Sequence, residues 1–281
     1  SDTPTVPPYL SMPPGVIEID MGRQLFVDDF LIEKTTLTRV FHNPVYYENN
    51  PVLKADQPWE LGKQGRGEGP VAMPFSDGVW FDPQDQLFKL WYLADYKQRH
   101  LCLATSKDGI HWEKPAFDVV PGTNIVFAKP GDARTVWLDQ ETSDPQQRYK
   151  LIITRGGDDI ILPGQEWYGS KCRMHVYFSP DGIHWSEEKS RGGPTGDRNT
   201  AFYNPFRKRW VFSIRDFSPM IGMERPVRSR RYWESPDLVS NLPWEHKEPT
   251  MWVGSDKFDP VGPRKSLTIP ELVSVGKTVF G

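Results

Sequence analysis

Two copies of one seven-residue phrase constrain this chain more than any other feature. They are Ser106-Lys107-Asp108-Gly109-Ile110-His111-Trp112 and Ser179-Pro180-Asp181-Gly182-Ile183-His184-Trp185. A weaker third copy, Ser235-Pro236-Asp237-Leu238, has Trp244 a few residues on. A repeat restricts the fold to architectures built from one recurring unit. Asp-Gly is a hairpin signal, because both residues tolerate the backbone angles of a tight turn. The Asp carboxylate can accept from nearby amides, and the Trp can fold back over the turn. The phrase therefore reads as a structural turn used once per unit, and not as a place for catalysis.

The residues around each turn repeat as well. Val79 to Pro83, Leu87 to Ala94 and His100 to Thr105 read as three strands running into the first Asp-Gly turn. Thr135 to Asp139, Arg148 to Thr154 and Arg173 to Phe178 answer them, with a turn at Asp144-Pro145. Thr200 to Pro205, Arg209 to Ile214 and Arg231 to Glu234 form the third set. No segment carries a helical pattern. Four antiparallel strands per unit of this length describe a blade of a β-propeller, a small sheet that buries its faces only by stacking on neighbours. The expected fold is all-β, a five-bladed propeller of four-stranded antiparallel blades, with three nearly full blades between Val79 and Pro249. Residues 1–15 read as an extended arm and 16–281 as the propeller, with strands near Ile17-Asp20 and Gln24-Ile32. Five blades need more residues than these, and Thr278-Val279-Phe280-Gly281 reads as mid-strand, so the chain is expected to carry only part of the ring.

Composition bounds the partners. With 281 residues, 37% hydrophobic and 13% aromatic, the chain can bury a large core. A formal net charge of −3 without a basic run argues against nucleic acid. No apolar stretch is long enough to span a membrane. The Pro-rich, polar segment Thr3 to Pro14 reads as the tether of a mature exported protein, its signal peptide already removed. The two cysteines, Cys102 and Cys172, stand at different offsets from their turns and read as two buried thiols. No Cys/His spacing suits zinc, so neither a metal nor a cofactor is expected.

Leu25-Phe26-Val27-Asp28-Asp29-Phe30-Leu31-Ile32, Asn50-Pro51-Val52-Leu53 and the two Asp-Gly-Ile-His-Trp turns together resemble the five-bladed propeller glycoside hydrolases of families 32, 43 and 68. The resemblance is strongest to family-32-like exported proteins of bacterial glycan-degradation systems, and covers about residues 20–275. It implies a glycosidase that removes terminal, furanoside-type sugars from poly- or oligosaccharides with two carboxyl groups. The alternatives are a non-catalytic propeller binding glycan or protein, and a sialidase-like propeller, which would need three converging arginines.

In a propeller the innermost strand of each blade starts at the mouth of the axial funnel. Acids just before inner strands are therefore the candidates: Asp77, Asp132 and Asp197, with Glu271 before Leu272-Val273. Asp197 with Glu271, backed by Asp77, is the expected catalytic set, Glu271 serving as general acid. Asp132, Arg198, Arg215, Asp216, Glu68 and Trp167 are expected to bind substrate. Each acid also has a plain reading as a turn residue. Glu60 stands in reserve beside Glu68. Trp59, Trp167, Tyr168 and His175 are candidate sugar platforms, the middle two in an insertion from Gly156 to Ser170. The cluster Arg228, Arg230 and Arg231 could meet an acidic sugar or form a solvated strand edge.

Overall fold

The computed structural model describes residues 15–16, 32–62, 69–74, 78–95, 100–156, 172–218, 227–240, 242, 244 and 248–254. The expected strands at 17–31 lie outside this set. The described residues form three antiparallel sheets and a single short 3-10 turn, Pro145–Gln147. Sheet one contains β1 (Ala72–Met73), β2 (Val79–Asp82), β3 (Leu87–Ala94), β4 (His100–Ser106) and β5 (Ile125–Phe127). Both β1 and β2 pair with β3, so together they make one interrupted inner strand. Sheet two runs β6 (Arg134–Leu138), β7 (Tyr149–Gly156), β8 (Cys172–Ser179) and β9 (Ser190–Thr195). Sheet three runs β10 (Thr200–Asn204), β11 (Arg209–Ser218), β12 (Val227–Ser235) and β13 (Thr250–Gly254).

The repeated phrase forms the same turn each time. Asp108 Oδ1 accepts from the amides of Ile110 and His111, each at 2.8 Å. Asp181 Oδ1 accepts from Ile183 and His184 at the same 2.8 Å. In the weak copy Asp237 Oδ1 accepts from Val239 at 2.7 Å and Ser240 at 2.6 Å. The preceding serine accepts from the Gly109 and Gly182 amides, and both glycines have positive φ, 76° and 80°. Trp112 closes the first turn by donating to the Gly109 carbonyl at 3.1 Å.

The sheets stack through their inner strands, with β6 touching both β2 and β10. Three indoles cross them: Trp80 meets Trp137 edge-on at 4.7 Å between centroids, and Trp137 meets Trp210 at 5.7 Å. Trp80 Nε1 also donates to the Val136 carbonyl at 2.7 Å. The central strands of sheet two are buried on both faces, between the sheets on either side. One seam packs Trp91, Leu101 and Leu103 against Val136, Leu151 and Ile153. The next packs Ile152, Val176 and Phe178 against Trp210, Phe212 and Ile214. Each such side chain contributes roughly 1.5–3 kcal/mol of hydrophobic stabilisation.

A polar lock joins the first seam. Asp82, fully buried, accepts from Lys89 Nζ at 2.9 Å, from Arg148, and from the Tyr149 hydroxyl. Burial alone would raise its pKa, but these donors, Arg148 foremost, hold it well below the usual carboxylate range. Trp91 Nε1 reaches across to the Gly182 carbonyl at 2.9 Å.

Sequence reasoning named three strands per unit. The fourth strands, β5, β9 and β13, come from the structure. Cys102 is fully buried and Cys172 partly so, and they form no disulfide. Among the described residues, no helix is long and apolar enough to cross a membrane.

Candidate functional site

Each inner strand ends in a turn at an equivalent residue: Asp82, Asp139 and Asn204, each followed by a residue of the hairpin leading to the second strand. The opposite end of the inner strand is where the candidate acids stand. Asp132 and Asp197 each lie seven residues before Asp139 and Asn204, and each follows a glycine. By count along the chain these are equivalent positions of adjacent sheets, although the backbone bond to the second strand is made by Asp132 itself in sheet two and by Gly196 in sheet three. Asp77, outside the described residues, stands only five residues before Asp82 in the sequence.

Both glycines are there because the chain lies flat on the second strand. A Cβ on Gly131 would sit 2.3 Å from Ile153 Cδ1, and one on Gly196 would sit 2.9 Å from the Arg215 carbonyl. The closeness is used for hydrogen bonds: the Asp132 amide donates to Thr154 O at 2.7 Å and the Gly196 amide to Arg215 O at 2.9 Å. Asn199 then fixes the Gly-Asp-Arg loop of sheet three. Its Oδ1 accepts from Thr195 Oγ1 at 2.6 Å and the Arg215 amide at 2.8 Å. Its Nδ2 donates to Gly196 O and to Thr154 Oγ1 of sheet two, both at 2.9 Å. That last bond ties the two acid-bearing ends into one rim.

Over this rim Asp197 meets Arg215 Nη1 at 2.7 Å, a half-exposed carboxylate on a buried guanidinium. Arg215 is register partner to Arg230 on β12, so the two share a sheet face. Arg230 donates to the Arg198 carbonyl. Burial, then the nearby Arg215 charge, lowers the pKa of Arg230 from its ordinary value. Asp197, Arg198, Arg215 and Arg230 thus form one cluster. Asp216 is turned to the other face of β11, where it pairs with Arg231, which also donates to Pro249 O at 3.0 Å. The basic run expected at 228–231 is thereby divided: Arg230 goes to the rim, Arg231 to Asp216, and Arg228 is exposed.

Glu271, Asp77, Glu68 and Trp167 lie outside the described residues. Glu60 is fully buried, accepting from the amides of Asp56 (2.8 Å) and Gln57 (2.9 Å) and from Lys114 Nζ (2.8 Å). Its other oxygen takes the Tyr92 hydroxyl. It clamps segment 53–60 to sheet one. Trp59 belongs to the same clamp, donating to Asn124 Oδ1 at 2.8 Å. His175 is buried within β8 on Glu188 at 2.7 Å. Asn199 and Arg230 are what sequence reasoning undervalued. The available signal for Asn199 was its place in Gly196-Asp197-Arg198-Asn199. Among the described residues, no group of three His, Cys, Asp or Glu side chains is arranged to hold a metal ion.

No family model and no curated protein matches the chain. Solved structures similar to it include an N-acetylgalactosamine deacetylase from F. plautii, in complex with blood group B trisaccharide. It is 16% identical with a TM-score of 0.42, over 62% of this chain and 52% of that one. An α-L-arabinofuranosidase from Clostridium thermocellum is 14% identical (TM-score 0.30; 61% and 49% covered). An α-L-arabinofuranosidase of Fusarium graminearum, solved with arabinobiose, is 13% identical (TM-score 0.32; 59% and 45% covered). The match spans about half the length of these structures.

Proposed function

We propose that this chain is a glycoside hydrolase whose three sheets are blades of a five-bladed propeller, with the active site on the rim that carries Asp132 and Asp197. The observation that carries the reading is the repeated Gly-Asp at one position before successive inner strands, bound into a single rim by Asn199. Asp197 in addition rests on the buried guanidinium of Arg215. In the proposed reaction Asp197, held by Arg215, is the carboxylate that meets developing positive charge at the anomeric carbon, as nucleophile or as base for water. Glu271 is the general acid that protonates the leaving oxygen. Asp132 and Arg198 orient sugar hydroxyls, with Glu68 and Trp167 completing the pocket. The substrate is a terminal, furanoside-type sugar on an oligo- or polysaccharide, and the protein works after export.

The test is hydrolysis of aryl furanosides and of oligosaccharides by wild type, Asp197→Asn and Glu271→Gln. Amides are near-isosteric with the carboxyl groups but cannot ionise, so each variant should lose about two or more orders of magnitude in kcat with unchanged melting. Full activity in either variant removes that residue from the reaction. The absence of hydrolysis across a broad glycan panel leaves a binding propeller as the reading.

A further inference from the structure

We propose that the rim of sheet three is a subsite for an anionic sugar substituent, a carboxylate or a sulfate ester, gripped by Arg198 and Arg230 beside Asp197. The inference rests on reading that rim as a sugar site and adds the chemical class of the sugar.

The repeat supplies an internal control. The register makes Arg215 equivalent to Thr154 in sheet two and Leu93 in sheet one. Their cross-strand partners are Arg230, Met174 and Leu101. The scaffold position is thus filled by Leu with Leu, then Thr with Met, and in sheet three by two arginines, whereas the arginine pair of sheet two, Arg155 with Arg173, stands one position further along. Like charges directly opposite on a sheet are destabilising, so blade packing does not call for this pair. Arg198, in the loop of the same rim, adds a third guanidinium charge; burial first, and then the Arg215 and Arg198 charges, lower the pKa of Arg230. Arg215 sits beneath and holds Asp197, whereas Arg198 and Arg230 are only partly buried and within reach of solvent. A planar guanidinium fork matches the oxygen geometry of carboxylates and other oxyanions, which a hydroxyl does not need. Arg230 is aligned by its bond to the Arg198 carbonyl, so its geometry is set before a ligand arrives.

The experiment is calorimetric titration of the whole chain with three galactose-based oligosaccharides of equal length: oligogalacturonate, sulfated galactan and neutral galactan. The expected result is that one acidic oligosaccharide binds at least about tenfold tighter than the neutral one, with affinity falling as salt rises. Which of the two does so distinguishes carboxylate from sulfate ester. Arg230→Gln should cut the ratio of acidic to neutral affinity by about tenfold. If that variant fails to fold, Arg198→Gln, in the loop rather than the sheet, reads the same ratio. Equal affinity for acidic and neutral ligands, no binding of either acidic ligand, or a preference that survives in both variants overturns the proposal. Selective binding of an acidic ligand by a protein that cleaves no furanoside would sink the hydrolase reading and keep the subsite. Furanoside hydrolysis by a protein that binds acidic and neutral ligands equally would do the reverse.

Discussion

Asp181 shows how one side chain can define a unit. Its Oδ1 satisfies two amides, its Oδ2 meets His184 Nδ1 at 2.6 Å, and Ser179 donates to it at 2.9 Å. Burial pushes its pKa up, but His184 and the two amides outweigh that and lower it overall. Asp181→Ala leaves both amides without their acceptor. The expected loss is roughly 1–2 kcal/mol of stability, read from urea unfolding. Glycan hydrolysis by the folded fraction should be unchanged, since the turn lies away from the Asp197 rim. A fully stable but inactive variant would show that the repeated phrase is part of the site. The weak third copy makes the same bonds through Asp237 although it lacks the glycine and histidine, so the carboxylate is the part of the phrase that the turn requires.

At the scale of the element, β9 is the instructive strand. Its sequence, Ser190-Arg191-Gly192-Gly193-Pro194-Thr195, has no alternation and poor strand propensity. It is a strand because Trp244 lies on it: a Cβ on Gly193 would fall 2.0 Å from the Trp244 carbonyl, and one on Gly192 would fall 2.9 Å from the ring. Trp244 Nε1 in turn donates to the Pro194 carbonyl at 3.2 Å. Gly193→Ala should therefore lower the thermal midpoint, at a cost of about 1–3 kcal/mol or more; an unaltered midpoint would mean that the notch can widen freely. The same case explains what was legible in the sequence. Strands that lead into Asp-Gly turns, and the acids before inner strands, carry local signals. The outer strand β9 carries none, because a partner fifty residues away selects it. The Arg215–Arg230 pair was illegible for a related reason: a hairpin sets the two residues side by side, and only the register tells that Arg230, not Arg231, shares the face of Arg215.

For the molecule as a whole, stability is concentrated in the seams. Asp82 joins the turn of sheet one to Arg148 and Tyr149 of sheet two, with Lys89 between them. Asp82→Asn would leave two cations facing a neutral amide at a buried site, at an expected cost of about 3–5 kcal/mol. The pH dependence follows from the lowered pKa of Asp82. Its contribution is complete above the unfolded-chain value of about 4 and is lost progressively as pH falls below that. Urea midpoints followed from pH 7 to pH 2 should fall steeply in wild type below pH 4 and more shallowly in Asp82→Asn. Parallel curves would show that other carboxylates govern acid unfolding.

Chains made of similar sheets face a sorting problem, since any sheet can in principle dock on any other, and a wrong neighbour is a kinetic trap. Here the two seams do not speak the same chemical language. The first needs a buried carboxylate met by Arg148 and Tyr149. The second needs an amide, Asn199, that finds the Thr154 hydroxyl, together with an indole that fits a glycine notch. Sheet three offered to the face of sheet one would bring Trp210 where Tyr149 should give its hydroxyl, and Asp82 would be buried without that donor. The polar lock is thus also an address label: it makes the order of the sheets, and not only their adhesion, a property of the sequence.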